Sequence, residues 1–78
     1  LDEAAREIER LLAMSRGRAF VLCTSYRSLR ELSGLLRPRI PWPTMTQEEL
    51  PRARLIEWFK ATPNAVLFGT GTFWEGVD

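Results

Sequence analysis

The stretch that decides the fold is a short apolar run followed by a glycine-rich tail: Ala65-Val66-Leu67-Phe68, then Gly69-Thr70-Gly71-Thr72-Phe73-Trp74-Glu75-Gly76-Val77-Asp78. Four consecutive apolar residues between turn-forming residues predict a strand that is buried on both faces. The polar and aromatic groups that follow would then gather at the carboxyl end of that strand. Open α/β sheets bind their ligands at this end of their strands, so we expect a site here.

The composition is that of a globular protein, with 45% hydrophobic and 27% charged residues among 78. The net charge of +1 creates no long-range field that would by itself indicate a nucleic-acid binder. No apolar run reaches the roughly 20 residues that span a bilayer, so we expect no membrane partner. The absence of histidine excludes imidazole chemistry in this segment, and the single cysteine, Cys23, cannot form a metal or iron–sulfur site alone. We therefore predict no metal site within these residues.

Periodicity upstream of the tail predicts alternating helices and strands: a helix over 2–16, a strand over 19–23, a helix from Ser25 to Pro38, a short strand over 42–46, a helix from Pro51 and the strand over 65–68. The run at 19–23 is continuously apolar, which predicts a second strand covered on both faces. Alternation with short connections implies parallel strands joined by right-handed crossovers. The fold class predicted is therefore α/β, a three-layer sandwich around a parallel sheet.

The start of the third helix has two possible positions. Thr46 and Glu49 have the spacing of a capping box, which would start the helix at Thr46. Pro51 would then lie inside the helix, where proline is disfavoured. A start near Pro51 is therefore the better prediction, with Leu55, Ile56 and Phe59 on the inward face.

Three loops leave the carboxyl ends of the three predicted strands and should meet at one edge of the sheet: Thr24-Ser25-Tyr26, Thr46-Gln47 and the stretch 70–78. They carry hydroxyls, an amide, aromatic rings and two carboxylates. Such groups suit the binding of phosphates, sugars and bases.

The residues alone leave several roles open. Ser25 can bind a phosphate together with the free N–H groups of a helix start, or it can simply cap that helix, a contribution of about 1 kcal/mol. Phe73 and Trp74 must either pack on the sheet or stack on a partner. Glu75 and Asp78 can coordinate Mg²⁺, bind a ribose hydroxyl or form a surface salt bridge.

The order of these residues resembles one family. Phe73-Trp74-Glu75-Gly76-Val77-Asp78 after a Gly-Thr turn resembles motif V of the DinG and XPD group of superfamily 2 DNA helicases. The segment 21–26 is similar to that group's Phe-Thr-Ser-Tyr or Phe-Pro-Ser-Tyr segment, and Thr46-Gln47 with the helix after it matches the family's glutamine turn. The resemblance extends from Gly17 to the end of the chain. In contrast to the family's glycine, Glu48 follows Gln47 and puts a negative charge beside the proposed DNA loop.

The resemblance implies that residues 1–78 are the N-terminal part of a second RecA-like motor domain, a fragment that stops within motif V. Single-stranded DNA would then be contacted by Thr24, Ser25, Tyr26, Thr70, Gly71 and Trp74. Glu75, Gly76 and Asp78 would sense ATP and Mg²⁺, which the first RecA-like domain of the same chain mainly holds. An iron–sulfur cluster is possible elsewhere in such a parent protein.

The activity implied is ATP-dependent translocation on single-stranded DNA and duplex unwinding, with 5′ to 3′ polarity, in repair or recombination, in the cytoplasm and at the nucleoid of a bacterium. The segment has no phosphate loop, no Asp-Glu metal motif and no arginine-bearing motif VI, so we expect no catalytic residue and no ATP hydrolysis from it alone. Two other interpretations remain: a RecA-like nucleic-acid-binding module that has lost ATPase activity, and an unrelated small α/β phosphate-binding domain.

Overall fold

The computed structural model describes residues 2–74. Helices and strands alternate along the chain: α1 (Asp2–Ser15), β1 (Ala19–Cys23), α2 (Tyr26–Leu36), β2 (Thr44–Thr46), α3 (Arg52–Ala61), β3 (Val66–Thr70) and α4 (Gly71–Trp74). The six predicted elements are all present, and α4 is an additional short helix directly after β3. No helix in this part of the chain is long and apolar enough to cross a membrane.

The three strands form one parallel sheet in the order β1-β3-β2. The strand that comes last in the sequence, β3, therefore lies in the middle, and all five of its residues are buried. Cys23 of β1 pairs with Thr70, and Thr46 of β2 pairs with Phe68. Both outer strands thus end beside the carboxyl end of β3.

Apolar side chains pack on both faces of the sheet, which makes three layers and confirms the predicted α/β sandwich. On one face α1 and α2 cover Val21, Cys23, Val66 and Phe68 with residues that include Leu12 and Leu29. On the other face Leu55 of α3 packs against Leu67 and Phe73. A parallel sheet requires this double cover because its strands are apolar on both sides.

Two details of the strands differ from the sequence prediction. β3 continues through Gly69 to Thr70, two residues beyond the end of the predicted strand at 65–68. The reason is that the ladder to β1 extends as far as Thr70. β1 is fully covered on one face only: on the other face Phe20 is 50% and Leu22 64% exposed. The cover of that face is partial, because the ring of Phe59 on α3 stacks on Phe20 with 4.4 Å between centroids and still leaves half of Phe20 exposed.

The start of α3 confirms the prediction based on Pro51. Pro51 occupies the N-cap position with φ −58° and ψ 150°, and the helix begins at Arg52. The carboxylate of Glu49 nevertheless accepts the main-chain N–H of Thr46 at 2.7 Å. That contact has the spacing of a capping box but closes the turn before the helix, since proline cannot continue a helix from Thr46.

Candidate functional site

The carboxyl ends of the three strands meet at one edge of the sheet, as the sequence predicted, and one side chain connects them. Gln47, which follows β2, donates from Nε2 to the hydroxyl of Tyr26, which follows β1, over 3.1 Å. Its Oε1 accepts the main-chain N–H of Thr70 at the end of β3 over 2.5 Å. A single amide therefore joins residues from all three strand ends.

Ser25 caps α2. Its backbone is extended, with φ −154° and ψ 164°, and its hydroxyl oxygen accepts the N–H of Ser28 at 3.1 Å. The capping interpretation is therefore confirmed, and the phosphate interpretation is compatible with it because Ser25 remains exposed. The first turn of α2 contains no acidic residue, so nothing in that turn offsets the positive end of the helix dipole.

The other residues proposed for DNA differ in accessibility. Thr24 is exposed, Tyr26 is 48% exposed and Gly71 is exposed at the start of α4. Thr70 is only 6% exposed, and its hydroxyl is a buried group without a hydrogen-bond partner among the described residues. Buried hydroxyls are nearly always paired, so the described residues leave this one with an unmet hydrogen bond.

The tail is described only as far as α4. Phe73 packs into the core at 6% exposure beside Leu55 and Leu67, and the guanidinium of Arg52 lies 5.9 Å from its ring centroid. For Phe73 the packing alternative is therefore correct. The side chain of Trp74 and the proposed nucleotide residues Glu75, Gly76 and Asp78 lie outside the described residues.

The negative charge of Glu48 is paired. Arg30 on α2 donates two parallel hydrogen bonds to this carboxylate, from Nε over 3.0 Å and from Nη2 over 2.7 Å. These bonds and the charge of Arg30 keep the pKa of Glu48 below its ordinary value. A second pair involves the same turn, where Arg37 contacts Glu49 over 2.5 Å. The acidic turn after β2 is thus neutralised by Arg30 of α2 and by Arg37, which directly follows that helix.

Sequence reasoning missed both the ion pair of Arg30 and the two hydrogen bonds that the amide of Gln47 makes. Arg30 and Glu48 are 18 positions apart, so helical spacing carries no sign of their contact. The signal for Gln47 was its position after β2, at the edge where the three loops were expected to meet; its contacts with Tyr26 and Thr70 appear only in the structure.

The only cysteine, Cys23, is 3% exposed, and burial raises the pKa of its thiol. The thiol therefore stays protonated at neutral pH and is a poor metal ligand. Across residues 2–74 no three histidine, cysteine, aspartate or glutamate side chains come together as a metal-binding group.

A parallel sheet with helices on both faces, and with hydroxyl and amide groups joined across its carboxyl edge, defines a three-layer α/β domain. Comparison with known proteins then identifies the family. Residues 8–78 match the helicase C-terminal domain, so the chain belongs to that family and is of the DinG-like kind.

Three curated relatives illustrate the likeness. The ATP-dependent DNA helicase YoaA of Escherichia coli is 34% identical over 76 residues, which is 97% of this chain and 12% of that protein. YoaA of Haemophilus influenzae is 38% identical over 68 residues, 87% of this chain and 11% of that protein. The ATP-dependent helicase DinG of Mycobacterium tuberculosis H37Rv is 34% identical over 76 residues, 97% and 11% respectively. The chain thus spans about a tenth of these relatives, and no solved structure matches it significantly.

Proposed function

We propose that this chain is part of an ATP-dependent DNA helicase that couples ATP hydrolysis to movement along single-stranded DNA and to duplex unwinding, in repair or recombination. Within it, residues 1–78 form the first part of the second RecA-like domain. The observation that carries the proposal is the match to the helicase C-terminal domain over residues 8–78, in a chain whose three strand ends share one polar edge. The names of the relatives, ATP-dependent helicases, support the same activity.

The polar edge is proposed as the contact with single-stranded DNA. Thr24 and Tyr26 are exposed there, and the start of α2 presents main-chain N–H groups at its positive end. Among residues 2–74, apart from its chain neighbours and the backbone of α4, nothing lies within 4 Å of the position where a Cβ of Gly71 would stand, so there is room for a phosphate to approach its main chain. A translocase must hold any sequence, and contacts to the backbone with stacking on bases meet that need. The proposed DNA residues are Thr24, Ser25, Tyr26, Thr70, Gly71 and Trp74.

The nucleotide is proposed to lie on the other side of the tail. Glu75, Gly76 and Asp78 follow α4 directly in the sequence, so a segment that begins at the DNA edge continues to the nucleotide. ATP and Mg²⁺ would be held mainly by the first RecA-like domain of the same protein, and these three residues would respond to them across the cleft. Closure of such a cleft by nucleotide is a common way to change the grip on a second ligand.

A cytoplasmic protein at the bacterial nucleoid, bound to single-stranded DNA and to no membrane, is the setting that this proposal implies. An iron–sulfur cluster, if the protein carries one, would be bound outside residues 1–78, since Cys23 is the only cysteine here.

The test is to purify the full-length protein and measure its ATPase activity with and without single-stranded DNA, and its unwinding of duplexes with a 5′ or a 3′ tail. We expect ATP hydrolysis that single-stranded DNA stimulates and unwinding that needs a 5′ tail. DNA binding without ATPase activity would instead support a nucleic-acid-binding module. Absence of both would contradict the proposal.

A further inference from the structure

Gln47 stands at the centre of the polar edge, and its two amide atoms have partners on different strands. We propose that Gln47 is a positioning residue that couples the DNA contact of Tyr26 to the junction of β3 and α4 at Thr70 and Gly71. The inference rests on the proposed function, since it specifies how the DNA edge communicates with the tail. It differs from a direct DNA role for Gln47.

The side chain of Gln47 extends the ladder between β2 and β3. The main-chain N–H of Gln47 donates to the carbonyl of Phe68 over 3.0 Å. In a parallel ladder that continued, the main-chain carbonyl of Gln47 would next accept the N–H of Thr70. The chain instead leaves the sheet in a turn after Thr46. The side-chain Oε1 of Gln47 takes the place of that carbonyl, so the ladder gains one more bond although the strand has ended.

The two partners of the Gln47 amide fix its orientation. Thr70 offers a main-chain N–H, which only the oxygen of the amide can accept. The nitrogen of Gln47 must therefore point towards Tyr26, and the hydroxyl of Tyr26 is the acceptor of that bond. The hydrogen of the Tyr26 hydroxyl is then directed elsewhere and can be donated to a phosphate oxygen. Gln47 thus sets the direction in which a half-exposed Tyr26 offers its donor.

Through its bond to Thr70, Gln47 is connected to the start of α4. Thr70 is the last residue of β3, and α4 begins at the next position. A ligand that displaces Tyr26 would also shift the amide of Gln47. The oxygen of that amide is hydrogen-bonded to the main chain of Thr70, directly before α4. Because residues 75–78 follow α4, the amide gives the DNA edge a mechanical connection to the proposed nucleotide residues. This path consists of two hydrogen bonds and one helical turn.

Three variants of the full-length protein test the connection. Gln47→Met removes both bonds at similar volume, Tyr26→Phe removes only the bond to the hydroxyl, and Gln47→Glu keeps an acceptor for the N–H of Thr70. Gln47→Met should weaken the affinity for an oligothymidylate by about threefold to tenfold, the scale of a hydrogen bond or two. As a single variant, Tyr26→Phe should also weaken this affinity. In the Gln47→Met background it should cause no further loss of affinity, because the effects of residues that act through one link are not additive.

Hydrogen exchange of the peptide that covers residues 66–74 tests the bond between Gln47 and Thr70 in the absence of DNA. We expect faster exchange at this peptide in Gln47→Met and wild-type exchange in Gln47→Glu, since the glutamate still accepts the N–H of Thr70. Faster exchange that is confined to this peptide, with wild-type exchange at the peptide that covers α1, shows that Gln47→Met is folded and has lost only the bond. Equal exchange of this peptide in wild type, Gln47→Met and Gln47→Glu would overturn the proposed role of Gln47.

The affinity results separate this inference from the function on which it rests. Wild-type protein that does not bind oligothymidylate would remove the proposed function and this inference together. Wild-type binding that Gln47→Met leaves unchanged, or losses that simply add in the double variant, would remove only the role of Gln47.

Discussion

The guanidinium of Arg30 on α2 and the carboxylate of Glu48 after β2 form two parallel hydrogen bonds between elements that are 18 positions apart in the sequence. The pair holds α2 against the turn that carries Gln47. Two parallel bonds fix the relative orientation of both groups in addition to their separation. The side chain of Arg30 is 68% exposed and that of Glu48 33%, so the pair contributes to local order more than to global stability.

This pair should make the turn after β2 sensitive to acid. Arg30 lowers the pKa of Glu48 in the folded protein below 4.5, its ordinary value. A lowered folded-state pKa means that the contribution is fully present above pH 4.5 and is lost as the pH falls further, through the folded-state pKa. We expect slower hydrogen exchange of peptide 44–51 in wild type than in Glu48→Gln at pH 7, and no difference well below pH 4.5. Glu31→Gln is the matched control, because Glu31 pairs with Arg27 inside α2. An equal effect of the control would show that the link to α2 is not the cause.

Ser25 should have a capping role and a DNA role that substitution can separate. Ser25→Ala removes the acceptor of the Ser28 N–H, which should cost about 1 kcal/mol of stability and also weaken single-strand binding. Ser25→Asp keeps the cap but places a negative charge where the phosphate is proposed. We expect wild-type thermal stability and lower affinity for Ser25→Asp, with the largest difference at low salt. If a salt titration gave wild-type affinity for both variants, Ser25 would be a cap only.

Two glycines should respond to alanine with opposite signs. Gly17 has φ +79°, and a Cβ there would stand 2.3 Å from the carbonyl oxygen of Asn64 and 2.8 Å from Cγ of Trp42. Gly17→Ala should therefore destabilise the protein by more than about 1 kcal/mol. Gly34 lies on the exposed side of α2, and among the described residues outside the backbone of that helix nothing lies within 4 Å of the position where a Cβ would stand. Gly34→Ala should therefore stabilise the protein by about 0.5–1 kcal/mol. Thermal unfolding of both variants beside wild type measures the two shifts, and shifts of the same sign would contradict the backbone argument.

Asp78 should matter for ATP and not for DNA. In the full-length protein Asp78→Ala should lower ATPase activity and unwinding about ten- to hundredfold, the scale of one lost hydrogen bond to a charged group. Single-strand affinity should stay close to that of wild type. Glu75→Ala serves as the comparison and should have a smaller effect, since we assign Glu75 an auxiliary role. Wild-type ATPase activity in Asp78→Ala would remove Asp78 from the nucleotide site.

Much of the fold could be predicted because its signals are local. The apolar runs at 19–23 and 65–68 and the helical spacing of Leu29, Leu32 and Leu36 depend on residues a few positions apart, and they appear as β1, β3 and α2. Pro51 marked the start of α3 for the same reason, since proline acts through its own ring. The meeting of the three strand ends followed from the parallel sheet and needed no contact to be known.

The sequence by itself thus determined the order of helices and strands, the edge at which the polar residues meet and the resemblance that the family match confirmed. The tertiary structure decided that β3 lies between β1 and β2, that β3 extends to Thr70, and that Arg30 neutralises Glu48. It also showed that the amide of Gln47, which the sequence placed only in a loop at the polar edge, is hydrogen-bonded to both Tyr26 and Thr70. Backbone geometry and hydrophobic spacing act between neighbours in the chain, whereas hydrogen bonds and ion pairs across 18 to 23 positions exist only once the sheet has brought their partners together.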